Sequence, residues 1–382
     1  MQPTPVPIQA AADSRRAHLT HIDFLRIFAI FLVILNHTCI YFMPTDAQGT
    51  IKSCLLFFSN QIIKTGVPIF FMISGALLLP REESYSQLFR KRILRFLGVI
   101  IIFWALQLSA DALINGTNLS LGLFLQSCYT CNYVPLQAWT RWFLYAYLAV
   151  LLLLPMLRLL ARRMKDRDFI YLFGLQFIIM AFVPTVICLI ERSDSSLPGK
   201  LASYLPFHPA FGAGLCAFYM LMGYFLEHRI RPVSLASYTG GGYQHLFRRL
   251  ILLSLVCLLI GTSMMAYCRS LRPDLFLPQS TIFLTCYIPL PCATLYLLAR
   301  AFFLRVSVPP SVQRLLKVAA GGILTVMLTE NLFRYACTPI FEYLLPYYGG
   351  WLSSLPTVVL TFLGSLSLGI LLKKLPFLRR IL

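Results

Sequence analysis

Ten apolar stretches, each close to the length that crosses a bilayer, follow one another along this chain. They lie at roughly 24–42, 54–79, 93–110, 141–160, 169–190, 210–227, 249–267, 281–304, 318–345 and 351–372. A hydrocarbon core about 30 Å thick takes a helix of about 20 residues. In lipid, each backbone N–H and C=O must be satisfied within the protein, and a helix does that inside one segment. The pattern therefore predicts an all-α, polytopic integral membrane helical bundle of about ten transmembrane helices. It would occupy 21–375, between a tail at 1–20 and a tail at 376–382. Only 12% of the 382 residues are charged, against about a quarter in a soluble domain.

The net charge of +19 does not imply a nucleic-acid partner, because the basic residues stand in short clusters between apolar stretches. One set of connections holds Arg15-Arg16, Arg90-Lys91-Arg92, Arg162-Arg163, Arg248-Arg249, Arg305, Lys317 and Lys373-Lys374; the alternate set holds few. The positive-inside rule then predicts a multi-pass protein of the cell (plasma or inner) membrane, embedded in the lipid bilayer, with both tails cytoplasmic. The first apolar run lacks a small-residue cleavage pattern and is expected to be retained. Interruptions are expected at Gly66 and Pro68, and at Gly321-Gly322 and Pro339. Thr239-Gly240-Gly241-Gly242-Tyr243 lacks the Gly-Lys-Ser/Thr of a phosphate loop and reads as a linker. The eleven cysteines form no metal motif, so no metal is expected; Cys128 and Cys131 are a candidate disulfide.

The first apolar stretch carries three ionisable residues, Asp23, Arg26 and His37. Eleven residues on a helix return to within about 20° of the starting direction, so Arg26 and His37 share a face. Asp23 is three residues before Arg26, a spacing at which the two meet. Eleven residues also rise about 16 Å, which puts Arg26 near a membrane surface and His37 deep inside. An ionisable residue at that depth marks a functional site, with a packing histidine as the plainer reading.

Several motifs together resemble the acyltransferase-3 family of integral membrane acyltransferases. Arg26 and His37, with Ile22-Asp23 before them, match its Arg-ten-residues-His motif. The run Gly66-Val67-Pro68-Ile69-Phe70-Phe71-Met72-Ile73-Ser74-Gly75 is similar to its second-helix signature. Lys91-Arg92-Ile93-Leu94-Arg95 looks like its basic Arg-Arg-x-x-Arg motif, with Lys in first place. Trp142-Phe143-Leu144-Tyr145 and Leu221-Met222-Gly223-Tyr224 add two further matches. The late helix departs from the family: where members often carry Gly-Ile-Tyr-Leu-x-His, this chain reads Gly322-Ile323-Leu324-Thr325 and reaches Glu330-Asn331 without a histidine.

The resemblance implies O-acyl transfer, with O-acetyl transfer expected, from cytosolic acyl-CoA to a hydroxyl of an extracytoplasmic glycan or polysaccharide. Such a reaction needs a base for the hydroxyl or a nucleophile that carries the acyl group. His37 is the candidate base, because an imidazole titrates near neutral pH. Asp23 would orient Arg26, and the sequence leaves direct transfer and a covalent intermediate both open. By the resemblance, the co-substrate is acetyl-CoA or another acyl-CoA, held by Arg26, Lys91, Arg92 and Arg95, whose guanidinium and ammonium groups suit phosphates. Trp142, Arg141 and Asp111 are the candidate contacts to the acceptor. Tyr129, Tyr133 and Trp139 add rings that either stack on sugars or form an interfacial aromatic belt. Glu330 and Arg334, four apart on one helix, read first as a structural intramembrane ion pair and second as part of the cavity. The competing class is a transporter or flippase for a surface glycan or lipid precursor, which broken helices and buried charges also fit.

Overall fold

The computed structural model describes residues 8–39, 51–130, 141–190, 215–230, 241–271 and 282–375. Every regular element among them is helical. The elements are α1 (Ile8–Cys39), α2 (Ile51–Lys64), α3 (Gly66–Leu78), α4 (Tyr85–Leu88), α5 (Leu94–Asn115), α6 (Leu121–Thr130), α7 (Arg141–Arg163) and α8 (Asp166–Phe177). They continue as α9 (Val183–Ile190), α10 (Leu215–Tyr224), α11 (Gly241–Leu271), α12 (Ile282–Thr285), α13 (Pro289–Arg305) and α14 (Pro310–Leu372). π-helical turns at Phe89–Ile93, Ile178–Phe182 and Phe225–Arg229 join neighbouring helices.

Local chemistry sets the helix ends. Ser84 caps α4 by accepting the Gln87 N–H at 3.2 Å. Gly116, at φ 69°, takes the left-handed conformation that ends α5, and its N–H reaches Ala112 O at 3.1 Å. The Lys165 N–H donates to the Asp168 carboxylate at 2.7 Å, which starts α8.

Among the described residues, seven segments are long and apolar enough to cross a membrane: Thr20–Thr38, Ser53–Leu78, Tyr85–Asn115, Trp142–Arg163, Asp166–Ile190, Gln244–Cys268 and Pro310–Leu372. The last, at 63 residues, is about three times the length of one crossing. Gly349, at φ 68° and ψ 169°, breaks it into helices over 310–348 and 350–372. The other two expected spans fall short. α10 is ten residues followed by a five-residue π turn, and α13 has 17 residues. Residues 210–214 and 281 lie outside the described residues. Among the described residues, length alone therefore does not yield ten crossings.

The expected break at Gly66 is present as a turn at Thr65 between α2 and α3. The expected break at Gly321-Gly322 and Pro339 is not: the helix runs through all three. Gly322 serves packing instead. A Cβ on Gly322 would strike the Leu366 side chain, and one on Gly364 would strike Phe333. Small residues let two membrane helices approach closely, here the two halves of α14. The N-terminal tail is helical from Ile8, as the start of α1. Of the glycine-rich linker, 231–240 lies outside the described residues and α11 begins at Gly241.

The chain divides into two compact units, with α1 and α14 contributing to both. Unit 1 holds 1–29, 44–79 and 163–320. Its closest crossing is α3 on α10, where Gly75 lies against the Met220 backbone and Gly223 against the Met72 backbone. Gln61 on α2 donates to Leu258 O and Thr262 Oγ1 of α11, both at 2.8 Å. Glu227 gathers His21 at 3.2 Å, the Tyr296 hydroxyl at 2.8 Å and Arg300 at 3.6 Å.

Unit 2 holds 30–43, 80–162 and 321–382. Phe31 packs on Phe362 with ring centres 4.6 Å apart, and Phe96 on Tyr147 at 5.0 Å. The Trp104 indole donates to Tyr145 Oη at 3.0 Å, and that hydroxyl donates to Cys128 O at 2.6 Å. Lys373 Nζ donates to Gly321 O at 2.5 Å, which ties the two ends of the late hairpin together.

Candidate active site

His37 sits near the end of α1, in the portion that belongs to unit 2, and is 6% exposed. Its Nδ1 lies 2.5 Å from Glu330 Oε1 on α14, and Glu330 is fully buried. A carboxylate at that distance holds the ring proton on Nδ1 and leaves Nε2 with its lone pair. Nε2 has no hydrogen-bond partner among the described residues. A base oriented by a third group and open at its reactive nitrogen is the arrangement that proton abstraction requires.

The late helix is fixed in register by α5. Gln107 Nε2 donates to Leu328 O at 2.9 Å, two residues before Glu330. Next to Glu330, both polar atoms of the Asn331 side chain and Glu330 Oε2 are buried without partners. Each such atom costs about 1–3 kcal/mol, which a polar ligand would recover. Asp111, one turn beyond Gln107, is buried rather than presented to solution. It accepts hydrogen bonds from Asn115 at 2.8 Å and Thr117 at 2.5 Å.

A second cluster of unit 2 forms around the basic motif. The π turn Phe89–Ile93 carries Arg90, Lys91 and Arg92. Arg92 forks onto Glu83, with Nε on Oε2 at 2.7 Å and Nη2 on Oε1. Arg158, from α7, reaches the same Oε2 at 2.9 Å. Two guanidinium groups on one carboxylate, the Arg92 hydrogen bond first, pull the Glu83 pKa down to about 2. Arg162 pairs with Glu82 at 3.2 Å. Lys91 and Arg95 are exposed beside this cluster. The result is a surface rich in guanidinium, with one carboxylate bracing two of its arginines.

The remaining candidates fall elsewhere. Asp23 and Arg26 meet on α1 at 3.4 Å, in the portion of that helix that belongs to unit 1. Trp142, at the head of α7, is 52% exposed. The Arg141 side chain, Tyr133, Trp139 and Cys131 lie outside the described residues. Among the described residues no group of His, Cys, Asp and Glu side chains has the arrangement of a metal site.

Two partners were not evident from the sequence. The four-residue spacing pairs Glu330 with Arg334, whereas in the structure Glu330 hydrogen-bonds to His37. Glu83 stood in a loop with no motif around it. A usable signal exists for each: a carboxylate deep in an apolar run requires a partner, and Glu83 is a lone acid between arginine clusters.

Fold and site together define a class, a helical membrane protein with a buried histidine–carboxylate pair suited to general base catalysis. The family model for the acyltransferase-3 domain, described as an acyltransferase domain, matches residues 19–381, and the chain belongs to that family. It is a membrane acyltransferase. Comparison with curated proteins and with solved structures gives no match.

Proposed function

We propose that this acyltransferase is an O-acyltransferase that takes an acyl group, acetyl first among them, from cytosolic acyl-CoA and delivers it to a hydroxyl of an extracytoplasmic glycan or polysaccharide. The observation that carries the reading is the buried His37–Glu330 pair, with Nδ1 on a carboxylate oxygen and Nε2 open. In the transfer, His37 Nε2 takes the proton of the attacking hydroxyl as its oxygen bonds to the thioester carbonyl carbon. The C–S bond then breaks, and the CoA sulfur leaves as the thiolate, which takes the proton back from His37 Nε2 to give the free thiol and the neutral imidazole. Glu330 stabilises the imidazolium formed on the way.

The Arg92–Glu83–Arg158 cluster with Lys91 and Arg95 supplies the guanidinium and ammonium donors that the phosphates of CoA require. Glu83 holds Arg92 and Arg158 in fixed positions, so phosphate binding would not have to order them. Arg26 lies on the same helix as His37, about 16 Å away along its axis, and is assigned to the donor side, with Asp23 as its orienting partner. Trp142, Arg141 and Asp111 are assigned to the acceptor side, Trp142 by direct ring contact and Asp111 by bracing the end of α5.

The test is thioester consumption. Purified protein in nanodiscs receives labelled acetyl-CoA and envelope glycans, with wild type beside Arg92→Ala. Loss of label from CoA in wild type, with weaker CoA binding in the variant, supports the reading. Wild-type protein that neither binds nor consumes any acyl-CoA contradicts it and favours a transporter or flippase.

A further inference from the structure

Unit 1 contains a cleft of about 450 Å³ lined by none of the residues assigned to acyl transfer. Its size falls within the ~300–1,000 Å³ range of ligand pockets. Phe173 and Phe177 of α8, Phe218 and Met222 of α10 and Leu250 of α11 give it an apolar wall, and Ala293 of α13 faces into it. Its extent along the helices is set by its lining. On α13 it runs from Arg300 to Pro289, and on α11 from Leu246 to Cys257, eleven residues in each case. Eleven helical residues rise about 16 Å, the depth of one leaflet's share of a hydrocarbon core about 30 Å thick.

The end of the cleft at Arg300 carries a guanidinium group. Arg300 is 7% exposed and lines the cleft. Its Nη1 donates to Leu226 O at 2.6 Å and Ile230 O at 3.1 Å, and its Nε faces Glu227 at 3.6 Å. Its Nη2 makes no hydrogen bond among the described residues. Glu227 is already shared by His21, Tyr296 and Arg300, and is not part of the cleft wall. Arg249 is exposed one residue before Leu250 and three after Leu246, which both line the cleft. The stretch from Gly241 to Arg249 holds two arginines and no carboxylate. An apolar slot one leaflet deep, ending at a buried guanidinium with an unused donor, and with an exposed arginine one residue from its lining, complements the charge and tail length of an anionic phospholipid.

The geometry points to a binding site for one anionic phospholipid of the bilayer, with an acyl tail in the slot and its phosphate oxygens on Arg300 Nη2 and Arg249. A polybasic surface draws anionic headgroups at about 1 kcal/mol per arginine. A tail buried beside fixed helices adds selectivity to that attraction. The site stands on the membrane fold alone and does not depend on the identity of the acyl donor or acceptor.

The experiment uses the full chain, reconstituted in nanodiscs of equal phosphatidylglycerol and phosphatidylcholine, then extracted in mild detergent and weighed by native mass spectrometry. Wild type should retain one lipid, with phosphatidylglycerol enriched over the bulk ratio. Arg249→Gln should lower that enrichment about fivefold. Ala293→Trp, which fills the slot, should retain no lipid. Thermal melting of both variants reports folding, and if Ala293→Trp fails to fold, the exposed Arg249→Gln variant decides. Added phosphatidylglycerol should raise the melting temperature of wild type more than that of Arg249→Gln. Wild type that retains no lipid, or the two lipids in bulk ratio, overturns the proposal. So does a folded Ala293→Trp protein with the wild-type lipid count.

Discussion

His37 takes its chemical character from a residue 293 positions away. On its own helix it is a polar residue in an apolar run, with Thr38 beside it bonded back to Ile34 O at 2.9 Å. In the proposed mechanism, Glu330 on Nδ1 sets the tautomer of His37 and leaves Nε2 to act as the base. Glu330→Gln should therefore be far more damaging than its small change in shape suggests. A Gln amide can present its NH₂ to Nδ1 and move the ring proton to Nε2. A fall in thioester turnover of about 10²–10⁴-fold is expected, with melting behaviour close to wild type. Turnover within a few fold of wild type would remove Glu330 from the mechanism. Asn331→Leu tests the unpartnered atoms next to it. If they serve only as a buried cost, the variant gains stability and keeps activity; if they meet the reacting carbonyl, activity drops while stability holds or rises.

Glu83 belongs to the same scale and makes a prediction with a pH window. Its folded pKa, about 2, lies below the ordinary carboxylate value of about 4.3. A group depressed in the folded state stabilises above its unfolded pKa, and the gain disappears as pH falls through the folded value. The melting difference between wild type and Glu83→Gln should thus be constant from neutral pH to about 5. It should shrink below about 4 and be nearly gone near pH 2. A difference that does not change with pH would mean that Glu83 acts through packing rather than charge.

At the scale of elements, close approach of helices is the organising device. Gly75 and Gly223 face each other's neighbours across the α3–α10 crossing, and a Cβ on either would enter a backbone. Gly75→Ala and Gly223→Ala should each lower stability by about 1–3 kcal/mol or more, read as melting temperature in detergent. Wild-type melting in both would show that the crossing can spread. This scale also shows how far the sequence is legible. The Gly66 interruption could be read from Gly and Pro in an apolar run, and the boundary between the last two helices from the gap between their apolar stretches. The continuity through Gly321-Gly322 could not, because a glycine that admits a neighbouring helix and a glycine that breaks its own helix look alike in one dimension. Arg26 and His37 were legible for the opposite reason: both lie on one helix, where spacing fixes direction. The His37–Glu330 and Glu83–Arg158 pairs join different helices, and no local periodicity encodes them.

For the whole molecule, unit 2 holds both the His37–Glu330 pair and the Arg92–Glu83–Arg158 cluster. The proposed base and the guanidinium surface thus belong to one compact unit, while unit 1 carries the Asp23–Arg26 pair and the apolar slot. Substitutions in the slot should alter lipid retention and leave the turnover of detergent-purified protein within about twofold, whereas those at His37, Glu330 or Arg92 should do the reverse. The central claim is that His37, set by Glu330, removes the proton that lets a hydroxyl attack an acyl-CoA thioester. The measurement that meets it most directly is the rate of free thiol release from acetyl-CoA by reconstituted protein supplied with a hydroxyl acceptor. Wild type would be compared with His37→Ala, both confirmed as folded and inserted. The account predicts acceptor-dependent thiol release by wild type and none above background by His37→Ala. Equal release by the two proteins would contradict it.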